Sequence, residues 1–577
     1  MAKGAVASTH YLATETGADM LRQGGNAFDA AVAAGLVLQV VEPHLNGPGG
    51  DLPVIFWKDG GARVLCAQGP APAGATIDHY RAQGLDLIPG DGLLATVIPG
   101  AFDGWMRLLH DHGTMELSDV MAPAIALARD GHPILTRAAD AIAGLAGFFR
   151  DHWPSSAETW MPGGQPPTGG ALFTNPDLAA TYARLAASPG DNRQARIRAA
   201  RDAFYRGFVA ERIGRFCADT AVMDASGRAH RGVLTADDMA GYAAYYETPT
   251  TFDYHGWTVA KTGPWGQGPV LLQVLAMLAG DDLAAMDPNG PDFAHLLIES
   301  QKLALADRDA FYADPDFADV PMAALLSRDY AAARRARIGA RADMELRPGA
   351  PDGRDPQRAA LERLSRPEGA VYEPTMAHLG DAPRGDTVHL DVIDQWGNVV
   401  SATPSGGWLQ SSPIVPGLGF CLNSRAQMFW LDPDVPGALH PGKRPRTTLS
   451  PTLAWHADGR RLSCGTPGGD QQDQWQLLFL LRHLHHGLDL QTAADAPMFH
   501  VTHMPSSFYP RTRQPGGVVA EATLPAATRT ELTARGHIVT CAPAGGLGRI
   551  SAASIDAQGN MAAAATTRTA HARAIVV

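Results

Sequence analysis

Several kinds of signal are missing from this 577-residue chain. It has five cysteines, Cys66, Cys217, Cys421, Cys464 and Cys541, an odd number at wide spacing with no CxxC pair. That argues against a disulfide framework and against a thiolate zinc site. No run of 18 apolar residues appears, so no segment reads as a membrane span. The N-terminus has no apolar core of signal-peptide length, so the chain as written is expected in the cytoplasm, or in the periplasm if a leader was trimmed. Gly47-Pro48-Gly49-Gly50 fits neither GxGxxG nor GxxxxGK[ST], which leaves no nucleotide loop. His483 and His486 share a helix face near His500 and His503, but no carboxylate joins them as in HExxH, so no metal and no cofactor is expected. The formal net charge of −12, with both signs interspersed, argues against nucleic acid or an anionic membrane as partner.

What remains is the composition of a large globular enzyme, 45 % hydrophobic and 18 % charged. Ala13 to Gln23 predicts a helix stopped by Gly24-Gly25. Asn26 is placed to cap a second helix, apolar nearly all round and so deeply buried, that ends near Glu42-Pro43. Val54 to Leu65 predicts a hairpin turning on Asp59-Gly60, and Leu453 to Cys464 another on Asp458-Gly459. His295 to Tyr312 and Gln472 to His486 predict helices, the first with alternating charged and apolar stripes and the second amphipathic. Arg335 to Pro383 is rich in Arg, Pro, Gly and Asp without periodicity and predicts an exposed connector. Beyond it the period becomes two: Val388, Leu390 and Val392 alternate with His389, Asp391 and Ile393, a strand with two distinct faces. Its turn, Ile393-Asp394-x-x-Gly397-Asn398, is echoed by Ile555-Asp556-x-x-Gly559-Asn560. Strands in hairpins and helices in blocks favour antiparallel sheets sandwiched by helices.

The chemistry concentrates in two places. Gly385-Asp386-Thr387-Val388-His389 puts a threonine between a loose connector and a regular strand. Once the Asp386–Thr387 bond is cut, the α-amine of Thr387 can serve as its own general base, because an α-amine with a pKa of about 7.7–8.0 is substantially neutral near pH 7–8. His389 lies on the same strand face and is expected to orient rather than to act as base. Gly465-Thr466-Pro467-Gly468-Gly469-Asp470 joins a strand to a helix, a place where backbone N–H groups can form an oxyanion hole. The plainer alternative is a tight turn capped by Asp470.

In Gly24-Gly25-Asn26-Ala27-Phe28-Asp29-Ala30-Ala31, Asn46-Gly47-Pro48-Gly49-Gly50-Asp51, Ile98-Pro99-Gly100, Ala306-Asp307-Arg308 and Asp314-Pro315-Asp316-Phe317, the chain resembles the gamma-glutamyltransferase family of N-terminal-nucleophile hydrolases. It does so again in Thr387-Val388-His389, Gly397-Asn398, Lys443-Arg444-Pro445, Ser450-Pro451 and Pro467-Gly468-Gly469. The resemblance implies an α+β fold of four αββα layers. It also implies self-cleavage into a large segment, 1–386, whose connector lies near 335–386, and a small segment, 387–577, that begins at the nucleophile. Both would belong to one domain, with a dimer of such pairs left open. It further implies Thr387 as nucleophile, Ser405 as its supporting hydroxyl, Gly468 and Gly469 as oxyanion-hole glycines, and Thr447 and Thr448 as substrate contacts.

The departures concern the donor. Ile77 stands where the family has the arginine for the glutamyl α-carboxylate, and Gly407 where it has an asparagine. Arg425 and Met428 stand where a glutamine and an aspartate hold the α-amino group. A γ-glutamyl head group is therefore expected to bind badly. Arg425, if it points inward, would suit a carboxylate on a donor lacking the α-amine. The alternative is that it faces solvent or pairs with Asp432. The short stretch from Met428 to Thr447 predicts a reduced lid. The expected substrate is a small amide or peptide-like molecule. The rival readings are a genuine gamma-glutamyltransferase or glutathione hydrolase, and a non-catalytic binding relative.

Overall fold

The computed structural model describes residues 2–364 and 387–577. Two antiparallel sheets stack face to face. The first runs, in spatial order, through Arg573–Val576, Gly4–Ser8, Leu390–Asp394, Val399–Ala402, Leu52–Lys58, Gly61–Ala67 and Tyr245–Glu247. The second runs through Met561–Ala565, Ser551–Ile555, Arg461–Gly465, Thr452–His456, Trp257–Lys261 and Thr250–Tyr254. The alternation in sequence becomes two faces in space. Ile393, Val399 and Ile55 of the first sheet pack against Leu453, Ala553 and Ile555 of the second. Val388, Leu390, Val392 and Val400 turn the other way, into the core formed with Ala27–Val41, Ala101–His112 and Leu117–Asp130. Helices Pro269–Leu278, Pro291–Phe311 and Gln472–His486 cover the second sheet. These are the four αββα layers. Outside them, Gly517–Glu521 pairs in parallel with Ile538–Ala542 in a small third sheet.

Local signals account for several elements. The Asn26 side chain accepts from the backbone N–H groups of Phe28 and Asp29, and the Asp29 carboxylate accepts from the Asn26 N–H, a capping box. The helix it starts, Ala27–Val41, is buried at every position. Asp59 (φ 51°) and Gly60 (φ 80°) make the left-handed turn of the first hairpin. The repeated Asp-x-x-Gly-Asn turns are built alike: Asp394 accepts from the backbone N–H groups of Trp396 and Asn398, and Asp556 from those of Gln558 and Asn560.

Three expectations are corrected. Pro291–Phe311 is not striped with exposed charge but buried almost throughout, its charges paired inside: Lys302 with Glu299 at 2.7 Å, and Arg334 with Asp307 at 3.2 Å. Gln472–His486 is buried on all sides as far as Arg482, because it packs between the second sheet, helices Pro269–Leu278 and Leu490–Asp495 and strand Phe499–Val501 rather than at the surface. The first part of the presumed connector is docked, not loose. Arg347 is buried against Glu299 at 2.9 Å, the Gly349 N–H reaches Asp307 at 2.7 Å, and Leu346 and Leu361 join the second core. Ion pairs rather than apolar periodicity hold this stretch. The rest of the connector lies outside the described residues. Among the described residues no helix is long and apolar enough to cross a membrane.

Candidate active site

The site lies at the edge of the interface between the two sheets. The register that pairs Leu390 with Ala402 continues to Thr387 opposite Ser405, and the register that pairs Ala402 with Val54 continues to Ser405 opposite Asp51. Residues directly opposite across antiparallel strands share a face. Thr387, Ser405 and Asp51 therefore stand in a row on the side that faces the second sheet. Thr387 is fully buried, and its hydroxyl donates to Ser405 Oγ at 3.1 Å. Asp386 lies outside the described residues.

The second sheet supplies the facing loop. After strand Arg461–Gly465 the chain passes through Thr466 to Asp470 into helix Gln472–His486. Gly468 has φ +130°, and a β-carbon there would come within 2.8 Å of the Trp475 ring, so glycine is required twice over. The expected meeting of this loop with Thr387 occurs, with one correction. The Thr387 hydroxyl faces the carbonyl oxygen of Gly468, at 3.5 Å. The Gly469 N–H points instead to Gln471 Oε1 at 3.3 Å. Since the Gly468 C=O and Gly469 N–H belong to one peptide, turning the first toward Thr387 turns the second away. Asp470 does not cap the helix. Its carboxylate is held by Arg308 and by the backbone and hydroxyl of Ser507, at 2.8 and 2.6 Å.

Residues that periodicity could not flag hold this loop. Gln472 donates to the Gly468 carbonyl and accepts from the Ser450 N–H at 3.0 Å. Gln267 donates to the Gly469 carbonyl at 3.1 Å and accepts from Arg308 at 2.9 Å. Beneath them Lys261 pairs with Asp473 at 2.9 Å, and Asp473 accepts from the Ser450 hydroxyl at 2.7 Å. The signal available in sequence was chemical: four glutamines and an aspartate within Gln471–Gln476, too polar for a buried helix unless they serve neighbouring backbone. On the Thr387 strand, His389 Nε2 donates to Asp391 at 3.0 Å, leaving Nδ1 to accept from Thr403 at 2.8 Å. Its ring lies against Gly465. These contacts fix the ring beside the Thr387 strand.

The other predicted residues divide. Thr447 is buried, with its N–H on the Trp265 carbonyl at 2.9 Å. Thr448 is 1 % exposed and its hydroxyl has no partner among the described residues. Gly407 sits at φ +66°, where a β-carbon would lie 2.9 Å from Gly50 N and 3.0 Å from the Cys421 carbonyl. The position has no room for a side chain and contributes none to a pocket. Ile77, the first residue of helix Ile77–Ala82, packs on an apolar cluster with Tyr80, Ala426 and Phe429. Met428 is buried in the single turn Arg425–Met428. Arg425 does not reach solvent and does not pair with Asp432. It is 1 % exposed, and its Nε lies 3.1 Å from both carboxylate oxygens of Asp51. Burial pushes the Asp51 carboxyl above the usual carboxylate range, and the adjacent guanidinium opposes that. Among the described residues no three His, Cys, Asp or Glu side chains are grouped to hold a metal ion.

The family model described as gamma-glutamyltranspeptidase matches residues 13–576. The Acylase ACY 1 proenzyme of Pseudomonas sp. (strain SE83) is 32 % identical over 565 residues, covering 95 % of this chain and 90 % of that protein. The glutathione hydrolase proenzyme of Bacillus subtilis (strain 168) is 30 % identical over 563 residues, covering 96 % and 88 %. Among solved structures, LmbA2991HD is 48 % identical with a TM-score of 0.94, covering all of this chain and 98 % of that one.

Proposed function

Because the chain belongs to the gamma-glutamyltranspeptidase family, we propose that it is a self-processing amidohydrolase with Thr387 as nucleophile and an acyl donor other than γ-glutamyl. In processing, the Thr387 hydroxyl attacks the Asp386 carbonyl and the peptide shifts from nitrogen to oxygen. Water then hydrolyses the ester, leaving segments 1–386 and 387–577. Each of the two main sheets takes strands from both sides of that bond, so the segments stay one body after cleavage. The freed amine of Thr387 takes the hydroxyl proton as Oγ1 attacks the substrate amide. The amine product leaves with that proton, and water attacks the threonyl ester in turn.

The convergence of the Thr387 hydroxyl with the Ser405 hydroxyl and the Gly468–Gly469 turn carries this reading. For the oxyanion to be stabilised, the Gly468–Gly469 peptide turns over once the bond is cut, so that the Gly469 N–H replaces the Gly468 carbonyl before Thr387. Two glycines make that turn sterically free. The names of the relatives include both a glutathione hydrolase and an acylase at similar identity. The case for a donor without a glutamyl head group rests instead on Ile77, Gly407 and Met428, none of which offers a charged or amide group. Retention of the whole constellation argues against a non-catalytic binding relative.

Purified protein on a denaturing gel tests the mechanism. Wild type is expected as two bands, at two thirds and one third of the chain, and Thr387→Ala as one. Intact wild type that still turns over an amide refutes it. Brisk glutathione hydrolysis by the cleaved enzyme would favour the rival gamma-glutamyltransferase activity.

A further inference from the structure

Arg308 is a fully buried cation that meets the reaction centre at one remove. It sits on the long helix Pro291–Phe311, and its Nη1 donates both to Gln267 Oε1 at 2.9 Å and to the Asp470 carboxylate. Gln267, also fully buried, extends the connection: its Nε2 donates to the Gly469 carbonyl at 3.1 Å. Asp470 is tied as well by the Ser507 N–H and hydroxyl, and its own carbonyl accepts from Gln474 at 3.1 Å. One guanidinium nitrogen thus secures the Gly469 carbonyl and the residue that follows it. The Gly468–Gly469 peptide just before is held by other groups, Gln472 on its carbonyl and Gln471 on its N–H.

The charge of Arg308 is not free to stabilise an oxyanion. Two carboxylates share it: Asp470, and Asp309, whose Oδ1 lies 3.1 Å from both Nε and Nη2. Arg446 stands 3.6 Å from Asp309, so the formal charges of the group cancel. What Arg308 supplies is placement. A peptide turns over by opposite rotations about the bonds on its two sides, here ψ of Gly468 and φ of Gly469. With the Gly469 carbonyl fixed, that motion brings the Gly469 N–H to one orientation. With it loose, the rotation spreads into the next peptide, and the donor is no longer preorganised for the charge that develops.

We infer that Arg308 is a positioning residue for amide hydrolysis: through Gln267 and Asp470 it fixes the downstream end of the turn, so that the Gly468–Gly469 peptide presents its N–H to the oxyanion in one orientation. This rests on Thr387 as nucleophile and on the turning of that peptide. The rival role is a tie between helix Pro291–Phe311 and the loop at Ser507 that serves the fold alone.

The test uses the cleaved enzyme and p-nitrophenyl acetate, whose small acyl group makes few contacts, so that its turnover reports the reacting centre. Gln267→Met removes the arm to Gly469 without moving a charge. It should lower kcat by about 10- to 100-fold, the scale of a small misplacement at the reaction centre, with KM and the unfolding midpoint little changed. Arg308→Ala should lose as much. Millimolar guanidinium chloride should raise the kcat of Arg308→Ala by about 10-fold, do nothing for Gln267→Met, and restore far less in the double variant, where a cation at that place no longer reaches Gly469. Ammonium chloride at the same concentration should restore nothing. Guanidinium weakens folding, so a variant that had merely lost stability would become worse on its addition. If Arg308→Ala does not fold, Gln267→Met decides alone. A kcat for Gln267→Met within about threefold of wild type, a loss carried by KM, or equal restoration with and without Gln267 overturns the inference and leaves Thr387 standing. A cleaved wild type that does not hydrolyse the ester overturns the nucleophile itself.

Discussion

Gly465 of the second sheet lies against the His389 ring of the first, and this contact can be tested directly. A β-carbon at position 465 would lie 2.5 Å from Nε2 of the imidazole and nearer still to its Cε1. The obstacle is a ring pinned at both nitrogens, not the loose end of a flexible chain. Overpacking of this kind costs about 1–3 kcal/mol. If the ring is expelled, the fully buried Asp391 loses one of its donors and is left with the Ser551 hydroxyl at 3.3 Å, at a further cost of about 1–3 kcal/mol. Gly465→Ala should therefore destabilise by about 2–6 kcal/mol and slow self-cleavage, because His389 is two residues from Thr387. His389→Ala also destabilises, but it empties the space the new methyl needs. The double variant should then be no worse than His389→Ala alone, a coupling of about 1–3 kcal/mol. The assay is the unfolding midpoint in a Thr387→Ala background, where every chain is uncut. A harmless Gly465→Ala, or a double variant whose loss equals the two single losses together, refutes the packing argument.

Other consequences follow from single groups. Burial raises Glu42 to about 7 from an ordinary 4.5, against the opposing pull of its Thr9 hydrogen bond and the charges of Arg549 and Arg137. The folded chain thus binds that proton more tightly than the unfolded one. Its stabilisation is complete below about pH 4.5 and is lost as pH rises through about 7, on the order of 3 kcal/mol in all. Glu42→Gln should flatten the fall in unfolding midpoint between pH 5 and 8, and an unchanged profile would contradict this. Asp394→Ala should cost about 2–4 kcal/mol, since Asp394 serves both its turn and the Ala27 N–H 367 residues away. Asp556→Ala, in the matching exposed turn, should cost no more than about 1 kcal/mol, and equal losses in thermal unfolding would refute the distinction. Gln472→Leu should leave the chain folded and should not lower kcat, because it releases the Gly468 carbonyl that has to turn away from Thr387; a fall of about 10-fold or more would contradict the turning of that peptide.

The parts of this molecule that were legible in sequence are those whose cause is local. Asn26 and Asp29, Asp59-Gly60 and the two Asp-x-x-Gly-Asn turns bond within a few residues of themselves. The period of two from Val388 to Ile393 needs only the pleat. The motifs of the family resemblance also prove to be halves of single contacts. Arg444 of Lys443-Arg444-Pro445 pairs with Asp314 of Asp314-Pro315-Asp316-Phe317 at 2.6 Å. Illegible were the burial of polar helices and the docking of 335–364. In both, charge is neutralised by partners far off in the chain, such as Arg347 on Glu299 and Lys261 on Asp473. A hydropathy pattern records each such residue as a reason for exposure, although the ion pair removes that reason. The orientation of the Gly468–Gly469 peptide was illegible for another cause. Both orientations use the same two glycines, and only the bonds from Gln472 and Gln471 select between them.

The same division explains how donor recognition can change while the reaction centre stays fixed. Thr387, Ser405 and Asp51 are tied by the registers of three neighbouring strands, and the Gly468 turn is gripped from Ser450, Gln472 and Gln267. Moving any one of them disturbs a buried network shared with both sheets. Ile77, Gly407, Arg425 and Met428 instead lie outside the regular strands, at the start of a short helix, in a loop and in one 3-10 turn. Ile77, Arg425 and Met428 are not held by strand registers, whereas Gly407, at φ +66°, has no room for a side chain. Arg425 is the instructive case. It stands where an amide is expected, and its charge is tolerated because Asp51, fixed by the Ser405 register, is already in place to take Nε. An acidic residue held by these strands thus compensates a buried cation in the neighbouring turn, and Nη1 and Nη2 of that cation have no partner among the described residues.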